Sequence, residues 1–249
     1  MKSAQQYQAP AQLLNDRIIL VTGAGDGIGR SAALAYASHG ATVILLGKTV
    51  EKLEAVYDEI EQAGYPQAAI YPMDLKGAVM SDYEDMQQAL AQNFGRLDGL
   101  LHNASVLGDR KPIAQSNVDI WQEVMQVNVN AEFMLTKAML PLLESSASAS
   151  IIFTSSGVGR QGRAYWGPYA VSKFATEGLM QVLADELANT SNIRVNAINP
   201  GATNTNMRRS AYPAEQPTNN PQPAALMPCY LYLMGDDSQA VNGLSIDAQ

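Results

Sequence analysis

The sequence is poor in the residues that carry several common kinds of function. Its single cysteine, Cys229, has no intramolecular disulfide partner and no second thiol for a Cys-based metal site, so we interpret it as buried and inert. The two histidines, His39 and His102, lie too far apart along the chain for a convincing metal cluster. The sequence therefore predicts neither a disulfide scaffold nor a metal site.

Basic residues and long apolar runs are also scarce. Lys and Arg total 16 against 24 Asp and Glu, and the resulting net charge of −8 has the wrong sign for binding a nucleic-acid backbone or an anionic membrane. Residues 1–16 are polar and lack the apolar stretch of a signal peptide, and no later segment is long and apolar enough to cross a bilayer. We therefore expect a soluble cytoplasmic protein that binds neither nucleic acid nor membrane.

Apolar strands alternate with helix-forming segments along the 249 residues, of which 47% are hydrophobic. This alternation predicts an α/β fold, a doubly wound parallel sheet of about seven strands with helices on both faces. Residues 17–249 form a single domain in this interpretation, after a flexible arm over residues 1–16. The predicted strands are 17–21, 42–46, 67–71, 97–101, 151–153, 193–198 and 244–246, and the predicted helices are 30–37, 51–63, 82–94, 118–144, 168–188 and 224–234.

A glycine-rich turn, TGAGDGIG at 22–29, separates the first predicted strand from the first predicted helix. Backbone N–H groups at a helix N-terminus can face a pyrophosphate, and the helix dipole favours negative charge there. The spacing of Gly23, Gly27 and Gly29 is GxxxGxG, not the GxGxxG of the commonest dinucleotide fingerprint. A dinucleotide site is the preferred interpretation, and a tight connection without a ligand is the alternative.

The second predicted strand ends at Gly47 and Lys48. A protein that selects NAD usually places an Asp or Glu here to bind the ribose 2′-hydroxyl. Lys48 instead offers a cation for a 2′-phosphate. The sequence therefore predicts NADP(H) as the preferred cofactor, with NAD as the second choice and a simple exposed lysine as the alternative.

Tyr169 and Lys173 lie four residues apart after Pro168, a residue suited to the first turn of a helix. Helical spacing would place the phenol and the ammonium on one face, and Ser156 could point at them from the end of the preceding strand. A neighbouring cation favours the phenolate and lowers the tyrosine pKa from its reference value of about 10. The trio could exchange a proton with a carbonyl or alcohol oxygen during hydride transfer. Taken alone, the pair could also be a core aromatic and a solvated lysine.

Other polar residues fall where ligands of doubly wound sheets bind, at the carboxyl ends of predicted strands. With Ser156 these are Asp74, Asn103 and Thr203. Asn128 interrupts the long helix predicted over 118–144, beside its apolar stripe. Residues 204–228 are rich in Asn, Pro, Gln and Thr, and we predict a loop on the substrate side, with a plain disordered excursion as the alternative.

Together these residues resemble the short-chain dehydrogenase/reductase family, classical type, from about residue 14 to the C-terminus. Stretches such as ATVILLGK and MQVLADE resemble more narrowly the bacterial YciK-like group. The marks of the family are TGAGDGIG at 22–29, Asp74-Leu75, HNAS at 102–105, Asn128, Ser156, YAVSK at 169–173 and NPGATNT at 199–205.

The resemblance implies an NAD(P)-dependent oxidoreductase for a small carbonyl or alcohol substrate. Tyr169 would be the general acid/base, Lys173 its pKa modifier and a ligand of the nicotinamide ribose, Ser156 the group that polarises the carbonyl, and Asn128 the holder of a relay water. Members of the family commonly form dimers or tetramers, so the resemblance implies a homodimer or homotetramer through the helices around 118–144 and 168–188. The predicted cofactor-binding residues are Gly23, Gly25, Gly27, Ile28, Gly29, Lys48, Asp74, Leu75, Asn103, Ala104, Tyr169, Lys173, Pro200, Gly201, Thr203 and Thr205.

The sequence departs from the family pattern at two places. Ser105 replaces a glycine, so a side chain would crowd the cofactor or demand an altered backbone, and the ending NGLSIDAQ lacks the common DGG. A cofactor-binding sensor or scaffold with little or no catalysis is therefore the alternative function. Tyr165, Trp166 and Met207 suggest an apolar or aromatic substrate, or else ordinary packing.

Overall fold

The computed structural model describes residues 4–249 and is built on one parallel sheet. Its strands are β1 (Ile18–Thr22), β2 (Thr42–Gly47), β3 (Ala69–Pro72), β4 (Gly99–His102), β5 (Ala149–Thr154), β6 (Ile193–Asn199) and β7 (Ser245–Asp247). The order across the sheet is β3-β2-β1-β4-β5-β6-β7, and every neighbouring pair is parallel. The predicted doubly wound sheet is confirmed.

Helices cover both faces of the sheet. They are α1 (Gly27–Ser38), α2 (Val50–Gln62), α3 (Met80–Phe94), α4 (Val118–Met125), α5 (Ala131–Glu144), α6 (Gly167–Leu187), α7 (Asn206–Ala211) and α8 (Met227–Met234). Tyr36 of α1 and Tyr230 of α8 belong to the core on one face, and Met86 of α3, Leu135 of α5 and Met180 of α6 to the core on the other. Because both faces are covered, the strands are nearly continuous apolar runs. No helix within residues 4–249 combines the length and apolarity of a membrane span.

The helix predicted over 118–144 is interrupted by one turn of π-helix, Gln126–Asn130. Asn128 is fully buried in this turn, and its amide is bound to two other segments. Val106 N donates to Asn128 Oδ1 (2.8 Å), while Asn128 Nδ2 donates to Val106 O (3.0 Å) and Ser172 Oγ (3.0 Å). The wider turn is compatible with this inward-facing amide, which ties the chain after β4 to α6.

The N-terminal segment is packed where the polar sequence predicts a flexible arm. Leu14 is fully buried, and the Tyr7 ring lies 5.2 Å from that of Tyr232. Tyr7 Oη donates a hydrogen bond to Asp237 Oδ2 (2.7 Å). Leu14 therefore belongs to the core on the α8 face, with Ala4, Tyr7, Ala9 and Leu13 packed against it, and residues 1–3 of the predicted arm lie outside the described residues.

The segment 204–228 has regular structure of its own, in place of the irregular loop that its composition predicts. It contains α7 and two 3-10 turns, Pro217–Asn219 and Pro223–Leu226, and α8 begins at its end. Arg208 makes two hydrogen bonds to the Glu215 carboxylate, both 2.6 Å. This bidentate pair ties α7 to the chain that follows it.

Candidate active site

A cleft of about 460 Å³ lies at the carboxyl ends of the central strands. Two predicted site residues, Gly29 and Asn128, do not line the cleft. The predicted residues that do line it are Gly23, Gly25, Gly27, Ile28, Lys48, Asp74, Leu75, Asn103, Ala104, Ser156, Tyr169, Lys173, Pro200, Gly201, Thr203 and Thr205.

Glycines of this turn stand at positions where a side chain would not fit. Gly23 and Gly27 have φ values of +66° and +52°, which favour glycine. A Cβ on Gly29 would lie 2.5 Å from Asn103 Nδ2 and against the Gly23 backbone, and one on Gly25 would lie 2.8 Å from Lys52 Cβ. The turn is thus a close-packed backbone surface before the N-terminus of α1, which fits the pyrophosphate of a dinucleotide.

Asp26 fixes this turn and was missed in the sequence. Its carboxylate accepts hydrogen bonds from Gly27 N (2.7 Å), Lys52 Nζ (2.6 Å) and Asn206 Nδ2 (2.8 Å). The turn is therefore joined to α2 and α7. The available signal was an Asp directly before a helix, the preferred N-cap, but the predicted helix began three residues too late.

The strand order reverses between β1 and β4, the point at which doubly wound sheets bind ligands. Thr22 Oγ1 at the end of β1 accepts hydrogen bonds from Asn103 N (2.9 Å) and Ala104 N (3.0 Å) after β4. Asn103 Nδ2 donates to Thr22 O (3.2 Å). These bonds hold the two halves of the cleft together.

The far end of the cleft is formed after β2 and β3. Lys48 and Thr49 are exposed just before α2 begins, and Asp74 and Leu75 follow β3. Lys48 takes part in no ion pair within residues 4–249. Its ammonium and the free N–H groups at the start of α2 could therefore both receive an anion.

Tyr169, Ser156 and Lys173 converge on the inner end of the cleft. Ser156 follows β5, while Tyr169 and Lys173 lie one turn apart on α6. Tyr169 is 9% exposed and Lys173 only 1%. Lys173 Nζ donates a hydrogen bond to Thr154 O (2.8 Å) and lies 5.9 Å from the centre of the Tyr169 ring.

The pKa of Tyr169 moves in the direction opposite to the one expected from its lysine neighbour. Burial raises the pKa of the phenol to about 12, and the Glu132 carboxyl adds to the rise, while the Ser156 and Ser105 hydroxyls lower it. The Lys173 ammonium does not offset the burial, since it is directed at Thr154 O. Desolvation therefore outweighs the cation in this structure.

Ser105, which departs from the family pattern, fits without strain. The only non-glycine residues of 4–249 with positive φ are Asp16 and Tyr165, so Ser105 has an ordinary backbone conformation. Its hydroxyl is buried without a hydrogen-bond partner in the described chain. The side chain lines the cleft and faces the Tyr169 phenol.

Apolar residues surround Tyr169 on the substrate side of the cleft. Trp166, Leu107, Met207 and Ala211 all line the cleft, and of these only Trp166 and Met207 were singled out in the sequence. Tyr165 is 57% exposed and does not line it.

His102 is buried and neutral. Its Nε2 lies 2.8 Å from Thr136 Oγ1, and burial lowers its pKa to about 3. No cluster of three or more metal-ligating side chains occurs within residues 4–249. Cys229 is buried, and desolvation raises its thiol pKa to about 12, as expected for an inert cysteine.

Comparison with known proteins identifies clear relatives. Residues 17–216 match the family model described as short chain dehydrogenase. The chain is 56% identical over 243 residues to the uncharacterised oxidoreductase YciK of Escherichia coli K12, covering 98% of this chain and 96% of YciK.

Two solved structures are similar throughout. A short chain dehydrogenase from Pseudomonas syringae superposes with a TM-score of 0.97 at 56% identity, covering 98% of this chain and 99% of its own. A short chain dehydrogenase from Shigella flexneri, complexed with NADP, has a TM-score of 0.94 at 55% identity and coverages of 96% and 100%.

The close packing behind Gly29 generates a binding prediction. Gly29→Ala would push a methyl group against the Gly23 backbone, and overpacking of about 1–3 kcal/mol would weaken binding of NADPH about 5- to 150-fold. Titration of NADPH fluorescence measures the effect, with thermal melting as a check on folding. Gly178→Ala is the matched control, because Gly178 is exposed on α6 and an added Cβ there meets nothing within 4 Å. Unchanged NADPH affinity in Gly29→Ala would contradict the assignment of this turn.

Proposed function

Because the chain belongs to the short-chain dehydrogenase family, we propose that it transfers a hydride between NADP(H) and a carbonyl or alcohol substrate through Ser156, Tyr169 and Lys173. The observation that carries this proposal is the convergence of these three side chains in the cleft that also contains the glycine-rich turn. The bound nicotinamide would supply or accept the hydride.

Tyr169 is the proton donor in this proposal. Its raised pKa keeps the phenol protonated in neutral solution, ready to protonate a carbonyl oxygen as hydride arrives at the carbon. Ser156 would donate a hydrogen bond to the same oxygen and so stabilise the charge that develops on it. In this proposal both hydroxyls therefore act on the one oxygen of the substrate carbonyl.

The dinucleotide would lie along the cleft, with its pyrophosphate at Gly23–Gly29, its adenine between Asp74 and Leu75, and its adenosine ribose near Asn103. Residues 200–205 would bind the carboxamide, and Lys173 the nicotinamide ribose. Asn128 would hold a relay water through its backbone carbonyl, which accepts a long hydrogen bond from Thr176 Oγ1 (3.5 Å), since both N–H bonds of its side-chain amide are engaged by Val106 and Ser172.

The preferred cofactor in this proposal is NADP(H). Lys48 and the start of α2 offer positive charge to a 2′-phosphate, and no carboxylate occupies the position that binds a 2′-hydroxyl. The similar protein from Shigella flexneri is complexed with NADP, which supports the same choice.

The substrate in this proposal is a small molecule with an apolar or aromatic body beside its carbonyl group. Trp166, Leu107, Met207 and Ala211 would contact that body, with the carbonyl oxygen directed at Tyr169. These four apolar side chains would select substrates by shape and apolar area, while Ser156 and Tyr169 would form hydrogen bonds to the carbonyl oxygen.

The protein is proposed to act as a homodimer or homotetramer in the cytoplasm. Phe133 of α5 and Val171, Phe174 and Val182 of α6 are between 42% and 57% exposed, more apolar surface than these helices need as a monomer. Sedimentation equilibrium measures the subunit number, and a monomer at micromolar concentration would contradict the proposal. Cell fractionation tests the location.

Tyr169→Phe removes the proposed proton donor and should lower NADPH-dependent turnover about 100- to 10,000-fold, with NADPH affinity retained. A panel of aromatic and aliphatic aldehydes, ketones and diketones, followed by NADPH absorbance, provides the assay. Tyr165→Phe, which removes an exposed phenol four residues away, is the matched control and should keep wild-type turnover. If the wild type binds NADPH but shows no turnover that depends on Tyr169, the sensor or scaffold alternative is favoured instead.

Lys48→Glu places a carboxylate where a 2′-phosphate is proposed to bind. Charge repulsion should raise the Kd of NADPH about tenfold or more and favour NADH, whose ribose hydroxyl can donate to the carboxylate. Fluorescence titrations with NADPH and with NADH give the ratio of the two Kd values. Lys137→Glu, the same reversal at an exposed position of α5, controls for net charge. An unaltered NADPH/NADH ratio in Lys48→Glu would remove Lys48 from the cofactor site.

A further inference from the structure

Glu132, in the first turn of α5, is a buried acid that the proposed mechanism leaves unused. Only 3% of its surface is exposed. Thr176 Oγ1 donates a hydrogen bond to Glu132 Oε2 (2.8 Å), while Oε1 has no hydrogen-bond partner in the described chain. A buried carboxyl oxygen without a partner is costly, so its position requires an explanation.

The free oxygen lies beside the lysine of the site. Glu132 Oε1 is 3.9 Å from Lys173 Nζ, which donates a hydrogen bond to Thr154 O. An ammonium has three N–H donors, so Lys173 keeps capacity to bind Oε1 after a small movement of either side chain. Residue 132 also lies one turn after Asn128, on the same side of the helix.

Glu132 and Lys173 carry opposite charges, and each offsets the effect of burial on the pKa of the other. Burial raises the pKa of the Glu132 carboxyl, and Lys173 opposes that rise. Burial also lowers the pKa of the Lys173 ammonium, which Glu132 first and Glu177 second oppose. Each group therefore opposes the effect of burial on the other, and the Glu132 carboxylate favours the protonated form of Lys173.

Few other titratable groups face this pair. Tyr169 and Glu177 approach from α6, and neutral His102 from the end of β4. Glu177 is engaged elsewhere, since its Oε1 accepts from Ser245 Oγ (2.7 Å) and lies 3.6 Å from Arg160 Nε. Glu132 is therefore the carboxyl available to Lys173.

We propose that Glu132 is a positioning residue whose carboxylate holds the Lys173 ammonium against the end of β5. The inference rests on the proposed role of Lys173. In this pair Lys173 is the ammonium and Glu132 the carboxylate. When Lys173 Nζ gives a proton to the site, one N–H bond at Nζ breaks and the amine remains beside the carboxylate. When Nζ takes up a proton, that N–H bond forms again and the ion pair is restored.

The pH dependence of turnover tests this role. Glu132→Gln keeps the shape and the acceptor for Thr176 but removes the charge that supports protonated Lys173. In the assay with NADPH and an aldehyde of the panel that the wild type reduces, the alkaline limb of kcat should move to lower pH by about one unit, and kcat should fall about tenfold. Glu132→Asp keeps a carboxylate and should restore the limb in part.

Glu177→Gln is the matched control, because it removes the same charge from a carboxyl already bound to Ser245. The alkaline limb of kcat should move less in Glu177→Gln than in Glu132→Gln, since Glu177 raises the pKa of Lys173 less than Glu132 does. An equal shift of the alkaline limb of kcat in both variants would overturn the proposal. A change in the thermal stability of Glu132→Gln with an unchanged pH profile would show that Glu132 is merely structural and would overturn it as well.

A titration without turnover separates this inference from the proposed function. Isotope-edited NMR of glutamate carboxyls, with Glu132→Gln to assign the signal, should show Glu132 titrating well above the other glutamates. In Lys173→Met the Glu132 pKa should rise further, because the opposing cation is lost. Titration in the ordinary range, or no response to Lys173→Met, would overturn the pairing even in a protein that turns over NADPH normally.

Discussion

Burial of the Lys173 ammonium is the constraint on which the arrangement of the site depends. A cation withdrawn from water without partners costs several kcal/mol, so neighbouring elements must compensate it together. Strand β5 offers the Thr154 carbonyl, α5 places the Glu132 carboxyl nearby, and α6 carries the lysine. Since these contacts hold α6 against the sheet, Tyr169 one turn earlier is held at the cleft as well.

The parts of this structure that could be predicted have short-range sequence signals. Apolar runs separated by helix-forming segments define the order of strands and helices, because each element must bury its own apolar face. Parallel strands bring their carboxyl ends to one edge, so polar residues at those ends could be assigned to a single site. Together with the family resemblance, that reasoning gave a set of site residues of which all but Gly29 and Asn128 line the cleft, although they make up less than half of its lining.

The features that were missed depend on tertiary contacts. Glu132 lies in a helix whose periodicity does not show that residue 176 and residue 173 meet it from α6. The raised pKa of Tyr169 follows from burial, which a four-residue spacing does not encode. The glutamine-rich start of the chain conceals Tyr7, which is anchored by Asp237 and Tyr232 more than two hundred positions away, and Leu14, which is buried in the core on the α8 face.

The π-turn at Gln126–Asn130 makes the spacing of this segment unusually intolerant of length change. A π-turn holds one residue more than an α-helical turn, so deleting a single residue here would regularise the helix and remove the wider turn from which the Asn128 amide faces inward. The Asn128 amide would leave Val106, and the wall of the cleft after β4 would lose its anchor. Insertions and deletions in relatives should therefore accumulate in the loops before Val118 and after Glu144, while the length between them is preserved.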